Sequence, residues 1–189
     1  MTSRKVVGVF LNSATHQPHV NTLTAMTHGI RETTDNLVFL SNSTKYMDCD
    51  VAIIFGSWKD RHTQHHILKN DVVNNHKGDL LVLETPLLGR TITEDHRYYR
   101  VGKGHYMDSL GYFNNKNSDK DRWGIIRTDL NLNVKDWRKD GKHIMFLMQL
   151  PGDAATADVD ILKWLQDEIV KCKKISDRPV RVRMHPLIS

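Results

Sequence analysis

The sequence contains little cysteine. Its 189 residues include two cysteines, Cys49 and Cys172, and neither belongs to a CxxC pair or to a metal-ligand spacing. Small secreted domains that depend on disulfides need more cysteines than this, so that class is excluded. A reducing compartment fits the cysteine usage best, and we expect a cytoplasmic protein.

Long apolar runs are also missing. The first apolar stretch, residues 6–11, is too short for the core of a signal peptide. No run approaches the roughly 20 apolar residues that a helix needs to cross a bilayer. We therefore expect no membrane span. Low-complexity tracts and repeats of fixed period are absent as well, which excludes repeat architectures.

Several motifs of cofactor and metal chemistry are lacking. The chain has no GxGxxG and no P-loop with its Lys-Ser/Thr pair, so hydride transfer and ATP hydrolysis have no support. The densest group of metal-ligand types comprises Asp60, His62, His65 and His66. It is not HExxH, and its spacing fixes no third ligand. We interpret it as a solvated helix face and predict neither a metal site nor a cofactor.

The composition is that of an ordinary globular domain with a small positive charge. Hydrophobic residues make up 39% and charged residues 26% of the chain, and the formal net charge is +5. The charge favours anionic partners such as nucleotides, anionic glycans or nucleic acid. The preference is modest, because 22 acidic residues are interspersed with the 27 basic ones.

Strand and helix patterns alternate along the first part of the chain. Short apolar runs typical of buried strands occur at residues 5–11, 36–40, 50–56 and 79–84. Helical spacing of apolar residues appears at 18–30 and, more weakly, at 60–75. This alternation predicts βαβ connections and an α/β fold with a mostly parallel, Rossmann-like sheet. A further strand is predicted at 97–101.

The pattern predicts a domain boundary near residue 141. Residues 102–141 are rich in Asn, Asp, Lys and Gly and lose their periodicity, which is typical of loops and linkers. We therefore predict a Rossmann-like domain with its linker at 1–141 and a partial second Rossmann-like unit at 142–189. This second unit reads as strand, loop, helix and strand. It either extends the first sheet or begins a longer second domain, and both remain open.

Two segments of the second unit lie where a βαβ unit meets a ligand, namely its loop and its far strand end. In the loop, residues 149–156, small side chains let a ligand approach the backbone. Asp153 or Thr156 can cap the following helix, whose free amides suit a phosphate or a carboxylate. Arg183 and His185 at the strand end can bind a phosphate or a sugar. Taken alone, each segment also fits a plain structural role.

Four segments then occur in a notable order. They are IIFGSW at residues 53–58, LETPLLGR at 83–90, MQLPGDAAT at 148–156 and VRMHP at 182–186. Their order and spacing resemble those of the capsule polysaccharide glycosyltransferases of the 3-deoxy-manno-octulosonate (Kdo) transferase type. That family has the GT-B architecture of two Rossmann-like domains. The chain departs from the family pattern after Glu84, where a glycine is expected, and at Thr156, where the family often has serine.

The resemblance implies an enzyme that moves a sugar from a nucleotide-activated donor, linked to CMP or UDP, to a glycan or to hydroxylated DNA. It implies catalytic roles for Glu84 and His185, although Asp60 or Asp95 could replace Glu84. The implied donor pocket comprises Gln149, Gly152, Asp153, Thr156, Arg183 and Pro186. The implied cleft residues of the first domain are Gly56, Ser57 and Arg90.

A function from another class stays open. Lysine, arginine and tryptophan alternate between residues 116 and 142, a pattern that can grip a nucleic-acid backbone and stack bases. Aspartates dilute the stretch, which favours a solvated linker. The alternative hypothesis is a non-catalytic module that binds a nucleotide or nucleic acid on the same fold.

Overall fold

A computed structural model describes residues 4–59, 62–85, 88, 98–107, 109–114, 116, 118–153, 156 and 159–187. The chain has an α/β architecture and divides into two compact units, Met1–Asn133 and Val134–Ser189. The division falls before the boundary predicted near residue 141. Residues 134–141 thus group with the second unit.

The first unit contains a five-stranded sheet. Its strands are β1 (Val6–Phe10), β2 (Leu37–Ser41), β3 (Val51–Phe55), β4 (Asp79–Glu84) and β5 (Arg100–Lys103). Their order is β2-β1-β3-β4-β5, and the first four strands run parallel, which confirms the predicted mostly parallel sheet. β5 pairs antiparallel with β4 and begins later than the strand predicted at 97–101.

Four helices accompany the strands in the described part of the chain. They are α1 (Gln17–Thr33), α2 (Gln64–Asn75), α3 (Arg122–Asp129) and α4 (Ile161–Ile175). The prediction that residues 102–141 are irregular is wrong for α3. This two-turn helix buries no residue, so it lacks the apolar periodicity that marks a helix in a sequence. In the part of the chain that the structure describes, no helix is long and apolar enough to cross a membrane.

The core of the first unit lies on both faces of its sheet. On one face a cluster of buried side chains packs together; its members are Val7, Val9, Leu23, Ile53, Phe55 and Leu83. Alternate residues of β3 and β4 point to the other face, where Ala52, Ile54 and Val82 are fully buried. The crossovers from β1 to β2 and from β3 to β4 run in opposite directions along the sheet. Because such crossovers are right-handed as a rule, we expect α1 and α2 to cover opposite faces.

The second unit is a single βαβ motif with a sheet of its own. β6 (Ile144–Leu147) and β7 (Val180–Arg183) form a two-stranded parallel sheet, and α4 connects them. The ring of Trp164 on α4 contacts the ring of Phe146 on β6, with 6.0 Å between their centroids. In the part of the chain that the structure describes, β6 and β7 pair with each other and not with the first sheet, so the alternative that this unit extends the first sheet is wrong.

Candidate functional site

The strand order of the first unit defines a crevice at one edge of its sheet. β2 and β3 lie on opposite sides of β1, so the connections that follow β1 and β3 diverge. Ligands of open α/β sheets bind at such a switch point, beyond the carboxyl ends of the strands. The segments that follow β1, β3 and β4, which begin with residues 11–13, 56–59 and 85, start at this edge, as does the segment after β2.

Ser13 ties the ends of β1 and β3 together at this crevice. Its side chain is 1% exposed, and its hydroxyl donates a hydrogen bond to the carbonyl of Phe10 at 2.6 Å. The same oxygen accepts a hydrogen bond from the backbone N–H of Phe55 at 2.8 Å. The hydroxyl is therefore engaged in holding the two strand ends in register.

Gly56, a predicted cleft residue, directly follows β3 in a conformation that favours glycine. Its φ angle is +78°, and its N–H donates to the carbonyl of Leu83 at 2.7 Å. A Cβ built at this position would have one described neighbour within 4 Å, the Nζ of Lys69 at 3.7 Å. Ser57, the next predicted cleft residue, is half-buried. The backbone at Gly56 thus lies directly over a lysine ammonium.

Lys69 of α2 is a buried lysine that sequence reasoning missed. Its side chain is 4% exposed, and Nζ donates a long hydrogen bond of 3.4 Å to the carbonyl of Phe55. Burial lowers the pKa of Lys69 to about 8; the charge of Glu84 opposes this shift and that of Lys59 adds to it. The sequence contains one signal of this burial: Lys69 precedes Val72 by three residues and so falls inside the apolar stripe of the helix.

Glu84, a predicted catalytic residue, lies at the carboxyl end of β4 and is half-buried. One oxygen of its carboxylate, Oε1, accepts hydrogen bonds from the N–H and the hydroxyl of Thr85, at 2.7 and 2.9 Å. The register pairs Leu83 with Phe55, so Glu84 lies beside the position of Gly56, which directly follows β3. The structure therefore brings Glu84, Gly56 and Lys69 to one edge of the first unit. Arg90, Asp60 and Asp95 lie outside the described residues.

Aromatic rings hold the loop that follows Gly56. The ring of Trp58 contacts those of His105 and Tyr106 edge-on, with centroids 4.7 and 5.0 Å apart. Burial lowers the pKa of His105. Arg100, paired with Glu84 across the sheet, donates a hydrogen bond to the carbonyl of Tyr106 at 3.2 Å. These contacts fix the segment around the edge where Gly56 and Glu84 lie.

The histidines of α2 do not form a wholly solvated face. His66 is 8% exposed, so that interpretation is wrong for it. The rings of His65 and His66 lie 4.3 Å apart, and burial together with the charge of Lys69 lowers the pKa of His65. Among the described residues, no group of three or more His, Cys, Asp or Glu side chains is arranged to hold a metal ion.

The second unit brings its two predicted ligand segments to one sheet edge. The register pairs Leu147 with Arg183, and the N–H of Met148 donates to the carbonyl of Arg183 at 2.9 Å. The loop that begins at Gln149 therefore starts beside the segment 183–186. Gln149, Arg183 and Pro186 are exposed. His185 is half-buried, and its Nδ1 accepts a hydrogen bond from the N–H of Leu187 at 3.2 Å.

The loop after β6 closes on itself before α4 begins. Gly152 has a φ angle of +70°, and the N–H of Asp153 donates to the carbonyl of Leu150 at 3.1 Å. The hydroxyl of Thr156 donates to the carbonyls of Leu150 and Asp153, at 3.1 and 3.3 Å. Since these groups complete local turns, the small residues of the loop are explained by its turns. Among the described residues of the loop, Gln149 has an exposed polar side chain.

The predicted cap of α4 by Asp153 or Thr156 is wrong. The cap is Asp160, whose carboxylate accepts a hydrogen bond from the N–H of Lys163 at 3.0 Å. The turns that Asp153 and Thr156 complete delay the start of the helix. A carboxylate at the helix start also disfavours a second anion there.

Comparison with known proteins adds no family. No protein-family model matches the chain, and neither a curated protein nor a solved structure shows significant similarity to it.

Proposed function

We propose that the chain is a glycosyltransferase of the GT-B type that moves a sugar from a CMP- or UDP-linked donor to a glycan or to hydroxylated DNA. One observation carries the proposal. The segment 183–186 and the loop that starts at Gln149, two of the motifs behind the family resemblance, lie side by side at one edge of the second unit. A pocket for a nucleotide needs both segments within reach of one ligand.

In this proposal the second unit binds the donor. The Gln149 side chain contacts the nucleotide, and Arg183 and His185 contact its phosphate. Negative charge grows on that phosphate as the bond to the sugar breaks. Cationic and hydrogen-bonding groups therefore stabilise the transition state more than the ground state.

The first unit supplies the base. We assign Glu84 the role of the general base that takes the proton of the acceptor hydroxyl. The two hydrogen bonds from Thr85 to Oε1 hold this carboxylate in one orientation. Such positioning is what a general base requires.

Calorimetric titration with a panel of nucleoside mono- and diphosphates tests donor binding. We expect Gln149→Ala and Arg183→Ala to weaken binding by about 10- to 100-fold, the value of a hydrogen bond to a charged group. Arg181→Ala is the matched control, because Arg181 is exposed like Arg183 and lies two residues earlier on the same face. It should bind like the wild type. Absence of binding for every nucleotide would overturn the proposal.

An assay of sugar transfer distinguishes the role of the first unit from that of the second. Glu84→Gln keeps the shape of the side chain and removes the base, so it should abolish transfer while nucleotide affinity stays unchanged. Loss of nucleotide binding in this variant would contradict the assigned roles.

A second candidate, a nucleic-acid-binding module, is favoured by one specific observation. The indole of Trp137 is 95% exposed and stands beside Arg138 and near Lys135. An exposed ring among cations can stack on a base, at about 1–3 kcal/mol per base. Salt-sensitive binding of single-stranded DNA that is lost in Trp137→Ala but survives Glu84→Gln, without any sugar transfer, would favour this candidate.

A further inference from the structure

A side chain is missing above Lys69, at Gly56. Apart from Gly56 and its two chain neighbours, the Nζ of Lys69 is the one described atom within 4 Å of the place where a Cβ would lie. A separation of 3.7 Å is ordinary van der Waals contact. An atom of a ligand at this place would touch the ammonium without displacing another of the described atoms.

The hydrogen-bonding capacity of the ammonium exceeds what the described residues use. An ammonium group has three donors. The hydrogen bond that the structure gives Nζ among the described residues is the long one to the carbonyl of Phe55, at 3.4 Å. A buried charge is normally stabilised by close partners, so an ammonium with one weak acceptor suits an anionic ligand.

Three titratable side chains of the described residues lie around Lys69. Lys59 lies on the loop after β3 and His65 on α2, and both interact electrostatically with Lys69. Glu84 of β4 supplies the opposing negative charge. Among the described residues, the carboxylate of Glu84 thus interacts with Lys69, and its Oε1 atom is already hydrogen-bonded to Thr85.

We propose that the ammonium of Lys69, beneath Gly56, is an anion-binding site of the first unit that takes a carboxylate or a phosphate group of a small ligand. The site itself stands on the geometry of the first unit. We assign the ligand to the sugar acceptor, a charged group of which contacts the ammonium; this assignment rests on the proposed function.

The site has a characteristic pH dependence. Because burial lowers the pKa of Lys69 to about 8, the ammonium loses its proton in a range where exposed lysines keep theirs. Between about pH 7 and about pH 9.5 the charged fraction falls about 30-fold, and anion affinity falls with it. An exposed lysine changes little over the same range.

Sulfate and acetate are suitable probes, because each keeps a constant charge over this range. Sulfate stands for a phosphate group and acetate for a carboxylate, so the two titrations distinguish the sources of the anion. Binding is followed by NMR of the whole chain through the Cε resonance of Lys69, which lies next to the ammonium. Lys69→Met removes the charge, and Lys77→Met, an exposed lysine two residues past the end of α2, is the matched control.

We expect one probe to shift the Lys69 resonance saturably near neutral pH and to bind about 30-fold more weakly at about pH 9.5. Lys69→Met should abolish this binding, and Lys77→Met should keep it. Gly56→Ala, which fills the proposed place with a methyl group, should weaken it. A saturable shift with neither probe, or equal binding by Lys69→Met, would overturn the site.

A different result, the absence of nucleotide binding, would overturn the proposed function. The two outcomes are therefore distinguishable.

Discussion

Replacement of Lys69 by methionine should stabilise the protein near neutral pH. The lysine is 4% exposed, and the folded chain must keep its ammonium largely out of water. Methionine is also unbranched and flexible, and it can occupy the space of the lysine side chain without a charge. The change therefore removes a desolvation cost while retaining the packing of α2 against the sheet.

The magnitude follows from the lowered pKa. In the unfolded chain Lys69 titrates near its ordinary value, whereas in the folded protein its pKa is lowered from 10.5 to about 8. A tenfold change in a proton-binding constant corresponds to about 1.4 kcal/mol, so the charged lysine costs about 3 kcal/mol of folding free energy at neutral pH. Lys69→Met should raise the free energy of unfolding by up to this amount.

The sign of the pH dependence is fixed by the lowered pKa. Between about pH 8 and about pH 10.5 the unfolded chain binds more protons at this position than the folded chain does. The free energy of unfolding of the wild type therefore rises with pH in this window. The advantage of Lys69→Met shrinks over the same window, because the wild-type lysine becomes neutral.

Urea unfolding across this pH range measures the difference between the two proteins. Subtracting the two curves removes the titration of all other groups. Lys77→Met should stay within about 0.5 kcal/mol of the wild type, as surface substitutions usually do. A Lys69→Met protein that is less stable than the wild type by a constant amount at every pH would refute the reasoning, because it would mean that the lysine stabilises the fold by packing and hydrogen bonding alone.

Two further predictions concern single hydrogen bonds. Ser13→Ala leaves the buried N–H of Phe55 without its acceptor, so it should lower the free energy of unfolding in urea by about 1–3 kcal/mol; an unchanged value would show that another acceptor replaces the hydroxyl. Asp160→Ala removes the cap of α4 and should destabilise that helix by about 1 kcal/mol, seen as faster amide hydrogen exchange in its first turns. Asp167→Ala, within the same helix, is its control and should leave exchange in these turns unchanged.

The expected gain in stability bears on the candidate site. A residue that costs the fold free energy is a common mark of a functional position, because activity needs groups that packing alone would not select. Lys69 meets this description, and it lies at the strand edge where the fold favours ligand binding. The stability experiment and the anion titration therefore examine the same residue by independent measurements.

The alternation of apolar runs and helical spacing by itself determined the architecture of the first unit. β1, β3 and β4 lie within the stretches that their β-branched and aliphatic residues indicate. Both faces of a parallel sheet are covered by helices, so its strands must be apolar throughout, and that demand is visible locally. The same local signals placed Glu84 and Gly56 at strand ends and the two motif segments in one βαβ unit.

Only the tertiary structure decided which side chains meet. The antiparallel direction of β5 depends on pairing with β4, and α3 has no apolar stripe to reveal it. Asp160 caps α4, whereas Asp153 and Thr156 form hydrogen-bonded turns earlier in the loop. Lys69 appears in the sequence as one more helical lysine. Its burial under Gly56 results from contacts between distant segments, which the periodicity within one segment does not predict.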